Sequence, residues 1–144
     1  MKNFNFSFLV ILLAALMVGI TSAAPVEKLM TVNIPFAFVV GKDSFPAGEY
    51  EVLGQIGSST IWIKSSNGAK VITGFAIPYR ERKVASDSAL VFNRYGDDYF
   101  LAKVLLAGWQ DSKVFNKSRR ETEIERLASS GGTGGVQVQT MAKR

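Results

Sequence analysis

The chain has 144 residues, with 17 Lys and Arg against 12 Asp and Glu, a formal net charge of +5, and neither histidine nor cysteine. Without histidine there is no Ser-His-Asp or Cys-His hydrolysis and no histidine-bound zinc, and the commonest general base near neutral pH is missing. Without cysteine no disulfide supports the fold, and the modest positive charge, with Lys and Arg interleaved with Glu, describes a solvated surface.

The chain opens with Lys2 and Asn3–Phe8, followed by the apolar run Leu9–Ile20 and then Thr21-Ser22-Ala23-Ala24-Pro25. That order describes a secretory signal peptide. The run is shorter than the roughly 20 apolar residues of a membrane span. Cleavage is expected after Ala23, because cutting after Ala24 would set Pro25 beside the scissile bond. An uncleaved N-terminal anchor is the alternative. Removing the signal, residues 1–23, leaves roughly 120 residues, enough for one domain with its own core. The expected setting is periplasmic or extracellular, with no stable membrane span after cleavage.

Leu29–Val40 is the first expected strand region, with Val32, Ile34, Phe36, Phe38 and Val40 on alternate positions. Pro35 falls on the opposite parity and removes a ladder donor, which predicts a sheet edge or a bulge there. Gly41–Gly48 is dense in turn formers and reads as a loop. Glu49–Leu53 returns with Tyr50 and Val52 on one face and the two glutamates on the other. Thr60–Lys64 and Lys70–Ile77 form the next expected hairpin, turned at Ser66-Asn67-Gly68 and ended by Pro78. Arg80–Ser88 is polar and expected to be exposed.

Ala89–Gly108 is the best-punctuated segment, two strands folded on a Gly-Asp-Asp turn. Side chains that face each other across a hairpin share a sheet face. A three-residue turn at Gly96-Asp97-Asp98 therefore sets Leu90 against Val104 and Phe92 against Ala102, whereas a two-residue turn mixes the faces. Tyr95 and Tyr99 then flank the turn as a cross-strand pair. Trp109–Asn116 has room for one more short strand. Ser118 and Glu121 form a capping box for a helix at about 119–128, with Ile124, Leu127 and Ala128 as its apolar stripe. Residues 129–144 read as a Gly-rich mobile tail, with a strand through Val136 and Val138 as the alternative.

Short strands with frequent turns predict an all-β fold, an antiparallel β-sandwich or small β-barrel with one short C-terminal α-helix. The single β-domain is expected to span 24–128. In order, Pro35-Phe36-Ala37-Phe38, Phe45-Pro46-Ala47-Gly48-Glu49-Tyr50-Glu51-Val52, Leu90-Val91-Phe92 with Arg94-Tyr95-Gly96 and Tyr99-Phe100-Leu101, and Lys117-Ser118-Arg119-Arg120-Glu121 resemble a group of small secreted bacterial β-domain proteins. The resemblance covers roughly residues 30 to 128. It implies a compact exported domain and brings no catalytic residue, cofactor or substrate with it.

Tyr95-Gly96-Asp97-Asp98 also spells the metal-binding motif of RNA-dependent polymerases, but the chain is far too short for a palm domain. No nucleic acid partner is expected. Two adjacent carboxylates supply too few oxygens for calcium alone, so no metal site is expected, and no cofactor. The leading expectation is a non-enzymatic exported domain that binds an envelope glycan or protein partner. Its candidate surface is Tyr95, Asp97, Asp98 and Tyr99, aromatics beside carboxylates at the hairpin turn. A carboxylate-dependent glycan hydrolase, using a pair from Glu49, Glu51, Asp97 and Asp98, is one alternative. Envelope attachment through the basic residues Lys113, Lys117, Arg119, Arg120 and Arg126 is another.

Overall fold

The computed structural model describes residues 25–55, 58–68, 71–132 and 134–143; the expected signal peptide lies outside the described residues. The chain is mostly β with one short helix, the class the alternating pattern predicts. The strands are β1 (Glu27–Ile34), β2 (Phe38–Val40), β3 (Asp43–Phe45), β4 (Gly48–Gly54), β5 (Thr60–Ser65) and β6 (Val71–Arg80). After them come β7 (Ala89–Tyr95), β8 (Asp98–Leu105), β9 (Asp111–Phe115), helix α1 (Arg119–Ser130) and β10 (Val136–Met141).

They form one mixed sheet in the order β1-β4-β5-β6-β9-β8-β2-β3, with β7 on the other edge of β8 and β10 outside β7. The sheet is open but curled. Its first and last strands meet through a single antiparallel bridge, Val32 with Ala142, and Lys143 N donates to Thr31 O at 2.8 Å. Inside the curl lies one core drawn from all of β1 to β8. An aromatic cluster fills its centre. Phe38 stands 5.3 Å from Phe45, 5.1 Å from Tyr50 and 5.5 Å from Phe92, ring centre to ring centre.

Pro35 ends β1 and divides the first strand region in two. Before it, Val32 and Ile34 face the core as part of β1, which pairs with β4. After it, β2 crosses to run parallel to β8, with Val39 opposite Phe100. The segment expected to be a loop, Gly41–Gly48, contains β3, because Gly41 at φ 62° reverses the chain so that Phe45 lies against Phe38. The strand after the Asn-Gly turn also runs farther than expected. β6 changes partner from β5 to β9 after Phe75 and continues through Pro78, which sits opposite Lys113. Beyond that switch β6 pairs with β9 alone, an edge position where a missing donor is tolerated.

The central hairpin turns on two residues, not three. Tyr95 pairs with Asp98 around Gly96-Asp97, with Gly96 at φ 62°. Leu90 still faces Val104 as expected, because a bulge between Val91 and Phe92 shifts the register and sets Phe92 against Leu101 rather than Ala102. A bulge of this kind places one extra residue on one strand and exchanges its faces. Leu101 and Val104 therefore share the main core, while Phe100 points the other way, under α1.

The described residues between 129 and 143 do not form a mobile tail. Helix α1 extends to Ser130 and is closed by Gly131, whose N–H donates to Leu127 O at 3.1 Å; β10 then pairs in full register with β7. Gly131 and Gly132, the latter at φ 76°, turn the chain at the end of the helix. Ser118 caps the helix as expected, its Oγ accepting from Glu121 N at 3.2 Å. Of the expected apolar stripe, Ile124 and Ala128 pack on Val39, Tyr95 and Phe100, but Leu127 is exposed.

Candidate functional site

The four hairpin-turn residues do not form one surface. Because Tyr95 pairs with Asp98 and Arg94 with Tyr99, the two tyrosines fall on opposite faces. Tyr95 is buried beside Phe100 beneath α1, and burial raises its phenol above the ordinary range. Tyr99 stacks on Phe36 with ring centres 3.8 Å apart, and the Arg94 guanidinium lies 5.4 Å from its ring centre. Asp98 meets Arg120 at 3.3 Å, and Asp97 is exposed at the turn. These contacts hold the hairpin end in place.

The alternative surfaces are similarly occupied. Glu49 pairs with Lys143 at 2.7 Å and Glu51 with Lys28 at 3.5 Å. In the basic C-terminal segment, Lys117 pairs with Glu125, Arg126 with Glu123 at 2.7 Å, and Lys113 Nζ donates to Ser58 O at 2.6 Å. Arg119 is exposed on the first turn of α1. Most of that segment's charge is thus neutralised within the fold. Among the described residues no cluster of three or more Asp or Glu is arranged to hold a metal ion.

What the fold does build is a groove of about 680 Å³ on the outer face of β7, β8 and β10. Its floor carries Val91, Lys103, Gln137 and Gln139, and its wall is the end of β6 with the loop 81–88. Gln137 and Gln139 are two apart on one strand, so their amides share a face roughly 6.6 Å apart at about 3.3 Å per residue. Tyr79 stands at the wall, half exposed, with Lys103 Nζ 5.5 Å from its ring centre.

One ion pair sets the geometry between wall and floor. Lys103 Nζ lies 2.5 Å from Glu81 Oε1, and both side chains are about a quarter exposed. The same carboxylate oxygen accepts from Ser112 Oγ at 2.8 Å, and Ser112 is buried on β9. The bond from Lys103 lowers the Glu81 carboxyl below its ordinary value, against the opposing effect of burial. The Glu81 carboxylate is therefore charged at neutral pH and held against Lys103 at the groove's edge.

The groove is joined to α1 through side chains. Gln137 Nε2 donates to Asn93 Oδ1 at 3.4 Å, and Asn93 Nδ2 donates to Glu121 Oε1 at 2.8 Å. Glu121 is buried, and burial raises its carboxyl above the ordinary value, only partly opposed by the Asn93 bond and by Lys117. A carboxyl raised in the folded state contributes stability below its unfolded value and loses it as pH rises through the folded value. Glu121→Gln keeps an acceptor for Asn93 and removes the buried charge. It is expected to raise Tm near pH 7, with the gain gone by about pH 3.5, below the unfolded carboxyl value. An equal Tm difference at both pH values would refute the assignment.

None of the groove residues stood out in the sequence. The available signal was the parity of β6, where Phe75, Ile77 and Tyr79 alternate with small or ring-constrained residues at 74, 76 and 78. Compared with protein-family models, curated proteins and solved structures, the chain matches none.

Proposed function

We propose that this chain is an exported, non-enzymatic β-domain that binds an envelope glycan along the groove between the loop 81–88 and β10. The observation that carries this reading is the groove itself. It is open to solvent, with a half-exposed tyrosine at the wall, paired amides on the floor and a pre-set Lys103–Glu81 pair between them. Sugar chains present hydroxyls at repeated spacing and apolar ring faces, which suit in-line amides and an aromatic side chain with a polar tip. Export is supported by the order of charge, apolar run and small residues in 1–23.

The test is calorimetric titration of the protein with soluble fragments of envelope glycans. Tyr79→Ala and Gln139→Ala are each expected to weaken binding about tenfold or more, the loss of one or two hydrogen bonds or an aromatic contact. Tyr99→Ala, at the hairpin turn, is expected to leave it unchanged. Retention of full affinity by the double variant Tyr79→Ala/Gln139→Ala would overturn the assignment of the groove.

A further inference from the structure

The outer face of β6 is built the wrong way round for folding alone. Its inward residue Ala76 is buried, while Phe75, Ile77 and Tyr79 point outward and are 78%, 54% and 55% exposed. Three bulky apolar side chains thus lie in water along roughly 13 Å of one strand, at about 3.3 Å per residue. The half-buried Val114, opposite Ile77 on β9, widens the patch. Contiguous exposed apolar surface of this kind marks a place of contact.

The patch continues beyond the strand. The loop after β6 is zipped to the segment before β9, with Ala85 N donating to Trp109 O at 3.1 Å and Gly108 N to Ala85 O at 2.9 Å. This extension presents Val84 and Trp109, both about half exposed, beside Arg82 and Lys83. Among the described residues, Arg82, Lys83, Lys64 and Lys42 form no ion pair, whereas the nearby carboxylates Glu81 and Asp111 are taken by Lys103 and Arg80. Lys42 shares a small cavity with Phe75, where Asp43 is the one neighbouring carboxylate. Among the described residues the apolar stripe is therefore rimmed by cations that are in no ion pair, with Asp87 the other carboxylate of the same loop.

We propose that this face docks on an anionic lipid bilayer, with Phe75, Ile77, Tyr79 and Trp109 entering the headgroup region and Arg82 and Lys83 meeting lipid phosphates. Aromatic side chains with a polar end favour that depth, and each nearby cation adds attraction to an anionic surface. A second copy of the chain fits less well, because face-to-face pairing brings like charges together. No described helix is long and apolar enough to cross a membrane, so this contact lies on the surface. Phe75, Ile77 and Trp109 do not line the groove, whereas Tyr79, Arg82 and Lys83 do, so bilayer docking and glycan binding share that edge.

The lack of native cysteine permits a single environment-sensitive fluorophore at Thr73→Cys, exposed on the same outward face of β6, or at Ser129→Cys on α1 as a reference. Comparing two positions on the full chain separates docking by this face from any other bilayer contact. With vesicles containing phosphatidylglycerol, the probe at 73 is expected to brighten and shift blue while the probe at 129 does not. Vesicles of phosphatidylcholine alone are expected to have no effect. Arg82→Ser/Lys83→Ser is expected to weaken the response roughly 30-fold, at about fivefold per charge, and Phe75→Ser/Ile77→Ser to abolish it. An unchanged probe at 73 on anionic vesicles would overturn the proposal. So would a concentration-dependent blue shift without vesicles, which would assign the face to a second copy.

Discussion

Replacing Phe38 with alanine is expected to lower stability by about 4 kcal/mol, the usual cost of deleting a large aromatic side chain from a closed core. Phe38 is almost fully buried, and its ring touches Phe45, Tyr50 and Phe92 at once. It lies on a three-residue strand that is joined to β8 by one parallel pair, Val39 with Phe100. So short a strand is not held by its ladder; the ring anchors it. Against the 5–15 kcal/mol that roughly bounds the stability of a single domain, this loss should move Tm down by about 12–20 °C. Phe75→Ala, an equal truncation on an exposed face, is expected to change stability by less than about 0.5 kcal/mol. Thermal melts followed by circular dichroism measure both. Equal effects at the two positions would mean that the aromatic cluster does not organise the core.

That contrast also shows which parts of the fold the sequence could reveal. Alternation was readable where it coincided with burial, as with Val32 and Ile34 on β1 and Tyr50 and Val52 on β4; on β7, Leu90 and Phe92 are buried as expected, but Ala89 and Val91 are buried too. Ser118 and Glu121 marked the start of α1 for a local reason, the capping of free N–H groups, which needs no tertiary partner. Where structure depended on distant partners, local reading failed. The bulge that places Leu101 opposite Phe92 depends on which core the residues reach, and no turn residue encodes it. β3 is three residues among turn formers, visible only once Phe45 meets Phe38. Tyr95 and Tyr99 looked like neighbours because turn length was misjudged by one residue, which sends side chains to opposite faces. The groove was harder still, since its wall at 79–87 and the β10 part of its floor at 137–141 are far apart in sequence and come together only in the folded sheet.

Ending the chain after Gly135 is expected to lower Tm by at least about 10 °C, or to yield protein that no longer folds in soluble form. The reason lies in what β10 covers rather than in what its own side chains bury. Its residues are mostly exposed, which is why the Val-Gln-Val-Gln pattern, preceded by glycines, reads as mobile. Yet six successive residues pair with β7, from Val136 with Arg94 to Met141 with Ala89. β7 carries Leu90 and Phe92 into the core, so its second edge cannot be left open without exposing backbone donors beside apolar side chains. The same segment closes the curl, through the Val32–Ala142 bridge, the Lys143 N–H to Thr31 O, and the Lys143–Glu49 ion pair. The ladder's roughly 1 kcal/mol net per hydrogen bond is largely offset by the entropy of ordering β10, about 1–2 kcal/mol per residue, so the expected loss comes from uncovering the β7 edge and opening the seam. The shortened chain also loses Gln137, Gln139 and Met141 from the groove, so glycan binding should fail with it. A truncated chain that melts at the same temperature as the full one would show that β10 contributes nothing to stability, and the closed seam would have to be abandoned.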